Sequence, residues 1–349
     1  MPTTAALQMP AAGKPFEQKV IDQRELRDDD VRIDIQFAGI CHSDIHTVRE
    51  EWGDCIFPIT PGHEIAGIVS QVGDAVTRYQ VGDRVGVGCM VDSCGSCEFC
   101  KDGEEQYCEQ GMVGTYNARG RDGEPTQGGY AQAVIVSERF VCGIPEGIEL
   151  DVAAPLLCAG ITTYSPLKRF GAGPGKRVAV IGLGGLGHMA VKLAHAMGAE
   201  VSVLSRTDKK QGDALELGAD HFYATGDEET VQGLRSSFDL IINTVSADLD
   251  LKVYLQMLRP LGALVNVGLP TKDYAFPPFA IVGGSKTVAG SAIGGIPATQ
   301  EMLDFCAEHG IGATIETISA DEVDAAYDRV VDGDVRYRFV IDTSTISPA

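Results

Sequence analysis

The sequence predicts two domains of different class: one mainly β and barrel-like, the other α/β and built on a doubly wound parallel sheet. Three observations carry this. At 349 residues the chain exceeds the usual single core. Its first part, to about residue 150, holds short apolar runs broken by Gly-Asp pairs, the texture of short strands and tight turns. From about residue 176, strand-like runs alternate with stretches that can be helical, and the first run ends in a glycine-rich turn.

In the first part, Val31-Arg32-Ile33-Asp34-Ile35-Gln36-Phe37 alternates at period two and predicts a half-buried strand. Ile65 to Val72 and Arg84 to Val87 predict two more, punctuated by turns at Gly73-Asp74 and Gly82-Asp83. Between the first two lies Cys41-His42-Ser43-Asp44-Ile45-His46, answered by Pro61-Gly62-His63-Glu64 at a strand start. Together they offer thiol, hydroxyl, carboxylate and imidazole groups. A catalytic zinc takes three such ligands and keeps one position open. Cys41 and His63 are candidate ligands, with Cys158 in Pro155-Leu156-Leu157-Cys158-Ala159-Gly160 as the third. Ser43 is expected beside the open position and His46 one step further out.

Cys94, Cys97 and Cys100, spaced by two residues, are followed by Cys108. Four thiolates in a loop with little apolar content can close a tetrahedral zinc site, and the metal then supplies the order that a core cannot. An iron–sulfur cluster is the rival occupant. The other cysteines, Cys55, Cys89, Cys142 and Cys306, are expected to be small buried hydrophobes.

The run Lys176 to Ile181 predicts a strand, and His188 to Met197 follows helical periodicity. Between them stands Gly182-Leu183-Gly184-Gly185-Leu186-Gly187, in which Gly182, Gly184 and Gly187 fit the dinucleotide fingerprint. The helix N-terminus behind it offers amide donors to a pyrophosphate. Further strands are expected at Glu200 to Leu204, Asp239 to Asn243, Gly262 to Val267 and Thr287 to Ala289. After the second strand an NAD site would place an acid on the ribose 2′-hydroxyl. Here the chain reads Ser205-Arg206-Thr207-Asp208-Lys209-Lys210, hydroxyls and bases that suit a 2′-phosphate, although such residues are also common on solvated turns.

Composition limits the partners. With 44% hydrophobic and 22% charged residues, the chain has the make-up of a soluble globular protein. Its net charge of −21 opposes nucleic acid and anionic membranes. The acidity reflects solubility or a saline cytoplasm. No apolar run of about 18 residues predicts a membrane span. Met1 to Gln18 lacks the pattern of a signal peptide, so a cytoplasmic location is expected.

Taken together, these residues resemble the zinc-dependent medium-chain alcohol dehydrogenases, in the branch of NADP-dependent cinnamyl alcohol dehydrogenases and aldehyde reductases. The resemblance rests on Gly62-His63-Glu64-x-x-Gly67-x5-Gly73-x-x-Val76, the four-cysteine lobe, Pro155 to Tyr164, the Gly182 fingerprint and Asp334 to Asp342. It spans essentially the whole chain. It implies a GroES-like catalytic domain at 1–159 and 292–349, with a Rossmann domain inserted at 160–291. It implies two zinc ions per chain, one on Cys41, His63 and Cys158 with Glu64 able to enter the shell, the other on Cys94, Cys97, Cys100 and Cys108. For NADP(H) it implies His42 and Arg338 near the pyrophosphate, Thr162 at the nicotinamide, Gly185 and Leu186 within the glycine turn, Ser205, Arg206, Thr207 and Lys210 at the 2′-phosphate, and Val267 at a later strand end.

The substrate pocket implied by the resemblance is apolar and includes Trp52, Met90, Val113 and Ile293. Val113 stands where plant cinnamyl enzymes often carry tryptophan, so a monolignol is not the expected substrate. The expected reaction is reversible hydride transfer with zinc as Lewis acid. Ser43 and His46 relay the hydroxyl proton and Glu64 lies beside the metal. Small aldehydes and alcohols are the expected partners, and a homodimer or tetramer the expected assembly. Two rival classes stay open: a zinc-free quinone or enone reductase of the same superfamily, and a non-catalytic nucleotide-binding protein.

Overall fold

The computed structural model describes residues 1–270 and 272–348. The chain divides into two compact units, Met1–Cys158 with Gly294–Ala349, and Ala159–Ile293. Among the described residues no helix is long and apolar enough to cross a membrane.

In the first unit, β1 (Thr3–Gln8) and β2 (Glu17–Asp22) pair antiparallel. The strands β3 (Asp30–Gly39), β4 (Ile65–Val72) and β5 (Arg84–Val87) follow. A short pair, β6 (Met90–Asp92) and β7 (Val113–Gly114), precedes β8 (Ala133–Ser137) and β9 (Cys142–Gly143). The second unit carries β10 (Arg177–Ile181), β11 (Glu200–Ser205), β12 (His221–Ala224), β13 (Phe238–Asn243), β14 (Leu258–Asn266) and β15 (Thr287–Gly290). The chain then returns to the first unit with the helix Ile296–His309, β16 (Ile315–Ile318), the helix Val323–Asp332 and β17 (Arg338–Asp342).

The first unit holds a seven-stranded sheet in the order β16-β17-β3-β4-β5-β9, with β8 also on β3. Both β4 and β17 run antiparallel to β3, with Ala38 opposite Ile65 and Gly39 opposite Val340. The end of β3 and the starts of β4 and β17 therefore share one end of the sheet. Cys41 follows that end of β3, His63 and Glu64 precede β4, and Arg338 opens β17. The alternation expected from Val31 to Phe37 is observed: Ile33 and Ile35 are buried, while Gln36 is exposed. Beneath this end lie Ile40, Ile45, Val48, Ile59, Phe339 and Ile341, packed with Tyr130 and Tyr327.

Glycines admit the last approaches. A Cβ at Gly86 would lie 2.4 Å from Leu157 Cδ1, so the 3-10 turn Ala154–Leu157 can settle on β5 and present Cys158. A Cβ at Gly39 would lie 2.0 Å from Glu64 Oε2, and its absence makes room for that carboxylate.

The second unit is a six-stranded sheet in the order β12-β11-β10-β13-β14-β15, with every pairing parallel. Strand order reverses beside β10, and the glycine turn follows β10 at that switch point. The five strands expected here are present. The sixth, β12, was not expected: His221-Phe222-Tyr223-Ala224 is a short edge strand with an exposed or half-exposed side chain at each position. It has no core-facing alternation to announce it.

Gly62 has φ +104°, and a Cβ there would come within 2.5 Å of the Tyr130 ring; Gly82 has φ +98° with nothing within 4 Å. Gly62→Ala should therefore lose about 3 kcal/mol or more and Gly82→Ala about 1–2 kcal/mol, as read by denaturant unfolding. Equal losses would mean that the ring contact contributes nothing.

Candidate active site

Cys41 ends the strand β3 segment as the N-cap of the helix His42–Val48, and Asp44 at the third helical position reaches back to it. The Cys41 N–H donates to Asp44 Oδ2 at 2.8 Å, and the Gly62 N–H donates to Asp44 Oδ1 at 3.2 Å. One buried carboxylate thus ties together both halves of the site. It also faces His63 Nδ1 at 3.3 Å, which leaves His63 Nε2 to point the other way.

Nε2 of His63 lies 3.2 Å from Cys158 Sγ, and the Cys41 and Cys158 sulfurs are 3.9 Å apart. Two thiolates on one tetrahedral zinc would be about 3.8 Å apart, given Zn–S bonds of about 2.3 Å. One ligand atom from each of Cys41, His63, Glu64 and Cys158 falls within 4.8 Å of all the others, and all four residues are buried. Glu64 is paired with buried Arg338, while its Oε2 has no hydrogen-bond partner.

The titratable groups of this cluster perturb one another strongly. The hydrogen bond to Cys158 holds the Cys41 thiol well below its ordinary range, against its burial. Hydrogen bonds with Cys41 and Cys89, together with burial, push the Cys158 thiol well up. Burial opposes charge on His63, yet Cys89 and Asp44 carry it well above its ordinary value. Burial pushes the Glu64 carboxyl up to about 7, against the pull of Arg338. Two soft sulfurs, an imidazole oriented from behind and a spare carboxylate oxygen form a donor set that fits zinc.

Beside the cluster, Ser43 Oγ lies 3.6 Å from Cys41 Sγ. His46 Nδ1 is hydrogen-bonded to Glu51, and its ring stacks on Trp52 at 4.6 Å between centroids. Trp52 is half exposed, whereas Met90 and Val113 are buried on β6 and β7. His42 is exposed on the first turn of its helix.

The four-cysteine lobe is a second cluster. Ligand atoms of Cys94, Cys97, Cys100 and Cys108 lie within 4.8 Å of one another, and Cys94 and Cys100 Sγ are 3.8 Å apart. Backbone N–H groups point at sulfur: Cys97 to Cys94 at 3.3 Å, Ser96 to Cys94 at 3.5 Å and Cys94 to Cys108 at 3.3 Å. These donors favour thiolate. The lobe also fixes the returning chain, because Glu105 accepts the Ile296 N–H at 3.0 Å where the helix Ile296–His309 begins.

In the second unit the fingerprint glycines divide their labour. A Cβ at Gly182 (φ +89°) would meet Val245 at 2.3 Å and one at Gly187 would meet the Gly182 carbonyl at 2.2 Å, whereas Gly184 faces open space. That is the pattern of a tight turn, an open approach and a close strand–helix contact. Gly185 and Leu186 are half-buried between them, and Thr162 and Val267 are buried. At the end of β11, Arg206 and Thr207 are exposed and Ser205 is half-buried. Lys210 Nζ donates to the Leu183 carbonyl at 2.8 Å, which ties this turn to the glycine turn. Ile293, the last residue of this unit, is half-buried with φ +36°.

Residues 27–146 match the alcohol dehydrogenase GroES-like domain and residues 185–308 match the zinc-binding dehydrogenase domain. An NADP-dependent alcohol dehydrogenase C of Mycolicibacterium smegmatis is 59% identical over 347 residues, 99% of either chain. The chain belongs to the zinc-binding alcohol dehydrogenases. A cinnamyl alcohol dehydrogenase structure from Sorghum bicolor superposes with a TM-score of 0.96 at 43% identity, covering 100% of this chain and 99% of that one. One from Helicobacter pylori, complexed with NADP(H), gives 0.92 at 43% identity and covers 98% of each.

The dehydrogenase site contains more than its sequence announced. Cys89 is not a core hydrophobe: it is half-buried and its thiol hydrogen-bonds to Cys158. Cys55 is also only half-buried, so the expectation for the scattered cysteines holds for Cys142 and Cys306 alone. Arg338 lies on Glu64, and only the strand pairing of β17 with β3 reveals that neighbour.

Cysteine reactivity separates the two kinds of thiol. Backbone donors from Ser96 and Cys97 hold the Cys94 thiol down to about 5, while burial pushes Cys142 up to about 12. These shifts favour thiolate at Cys94 and thiol at Cys142 near neutral pH. Iodoacetamide on metal-stripped protein, read by peptide mass, should label Cys94 well before Cys142. The reverse order would contradict this electrostatic reading.

Proposed function

We propose that the chain is a zinc-dependent oxidoreductase that moves hydride reversibly between NADP(H) and primary alcohols or aldehydes, and favours the reduction of aromatic and aliphatic aldehydes. The observation that carries this reading is the buried Cys41, His63 and Cys158 set with Ser43 beside it. The names of the Mycolicibacterium and Sorghum relatives and the NADP(H) of the Helicobacter structure support it.

Bound zinc supplies Lewis-acid polarisation of the substrate oxygen, and the nicotinamide supplies or accepts hydride. The protein's own residues handle the proton. Ser43 takes the hydroxyl proton in the alcohol direction and returns it in the aldehyde direction. Glu51 engages His46 Nδ1, so Nε2 is the nitrogen left to exchange a proton onward. Trp52, Met90 and Val113 give the first unit apolar surface for a substrate. Ser205, Arg206, Thr207 and Lys210 bind the 2′-phosphate, Gly182 to Gly187 and His42 the pyrophosphate, and Thr162 and Val267 the nicotinamide end. Arg338 acts chiefly through Glu64. Cys94, Cys97, Cys100 and Cys108 hold a structural zinc.

The reading includes a cytoplasmic homodimer. The open edge at β15, with Phe279 87% and Leu261 80% exposed nearby in the same unit, supports a second copy there. Sedimentation should give twice the 37.0 kDa chain mass, and a monomer at micromolar concentration would contradict it.

NADPH oxidation with benzaldehyde tests the activity. The zinc-loaded protein should turn over and Cys41→Ser should not, although it still binds NADPH. Inactivity of the wild type across a panel of aldehydes and alcohols would contradict the reading. NADPH should exceed NADH by at least about a hundredfold in kcat/KM, on the order of 3 kcal/mol. Arg206→Ala should raise KM for NADPH only, because the guanidinium grips a phosphate that NADH lacks. Equal weakening of both cofactors would remove Arg206 from discrimination.

A further inference from the structure

Behind His63 the buried Asp44 carboxylate collects more donors than a ligand histidine needs. It accepts from the N–H groups of Cys41 and Gly62 and faces His63 Nδ1. Tyr130 Oη donates to Asp44 Oδ2 at 3.2 Å. The Tyr116 ring stacks on His63 at 5.6 Å between centroids and closes this side of the imidazole. Four donors meet the roughly four lone-pair directions of one carboxylate. Asp44 is 0% exposed, so its partners are these buried groups rather than bulk solvent.

The direction of the bonds follows from the chemistry. An ionised Asp44 only accepts, so the single Tyr130 proton points at it. The Tyr130 oxygen must then accept from the next hydroxyl. That hydroxyl is Tyr327 Oη, 3.3 Å away, on the helix Val323–Asp332. Both tyrosines are buried, and Phe16 packs edge-on against Tyr327 at 5.4 Å between centroids. Tyr130 also packs its ring where a Cβ of Gly62 would stand. One side chain therefore braces the backbone just before His63 and the carboxylate behind its ring.

We infer that Tyr130 and Tyr327 are positioning residues for the catalytic zinc, acting in series through Asp44 to aim His63 Nε2 at the metal. This rests on the zinc reading of Cys41, His63 and Cys158. Buried polar chains of this kind stand or fall as units, because a missing donor leaves a buried charge short of partners. Outer partners of a ligand histidine typically change metal affinity by about 10–100-fold. Tyr130 and Tyr327 stand two steps and three steps from His63, the residue that would touch the metal.

The test is zinc release to a chelator from the holoenzyme, followed for both zinc ions, with cobalt(II) spectra of protein substituted at the catalytic site. Tyr130→Phe keeps the ring on Gly62 and deletes only the hydroxyl. It should speed release of the catalytic zinc about tenfold, shift the cobalt bands, lower kcat and leave KM for NADPH unchanged. Release from the four-cysteine lobe should not change. Tyr327→Phe should give the same pattern at about threefold, and it decides alone if Tyr130→Phe does not fold. Wild-type release and spectrum in the folded variants would overturn the role. So would equal acceleration of both zinc ions, which marks general loosening. A wild type that binds only the four-cysteine zinc would overturn the zinc reading, and the tyrosine role with it.

Discussion

The site depends on one electrostatic constraint. Two thiols, an imidazole and a carboxyl are buried together within 4.8 Å, with Arg338 the cation already paired to the carboxyl. In a low-dielectric interior such a group cannot carry several negative charges unneutralised. A divalent cation removes the conflict, because it converts thiols to thiolates and takes the free nitrogen of His63. The backbone around the cluster is arranged to hold these groups together despite their mutual cost.

That arrangement is a property of the sheet end. Antiparallel pairing puts the finish of β3 beside the starts of β4 and β17, so residues distant in sequence meet without a long loop. Three glycines then remove the side chains that would block the meeting: Gly39 beneath Glu64, Gly62 against Tyr130 and Gly86 under Leu157. Asp44 ties the Cys41 helix to the Gly62 turn through two backbone N–H groups, so the carboxylate that orients His63 also fixes the spacing of two ligands. Geometry and electrostatics share one residue.

Much of this was legible in the chain. Ligand types and spacing picked out both cysteine sets, because metal chemistry restricts residue identity more tightly than packing does. Alternation recovered β3, and apolar runs recovered β4 and five of the six parallel strands. What stayed hidden is long-range and depends on shape. Cys89 looks like any small apolar residue until the turn between β5 and β6 brings it to Cys158. Tyr130 and Tyr327 are separated by 197 positions and share no motif, so only the fold discloses their hydroxyl contact. Arg338 was legible as a conspicuous base near the C-terminus, but its partner Glu64 lies 274 residues away. The edge strand β12 escaped because a strand with no buried face carries no alternation.

The central claim is that the Cys41, His63 and Cys158 cluster is a zinc site, distinct from the four-cysteine site. Anomalous diffraction at the zinc absorption edge, from crystals grown without added metal, measures this directly. Two peaks per chain are expected, one among Cys41, His63 and Cys158 and one among Cys94, Cys97, Cys100 and Cys108. A single peak at the four-cysteine lobe, from enzyme fully active in aldehyde reduction, would contradict it.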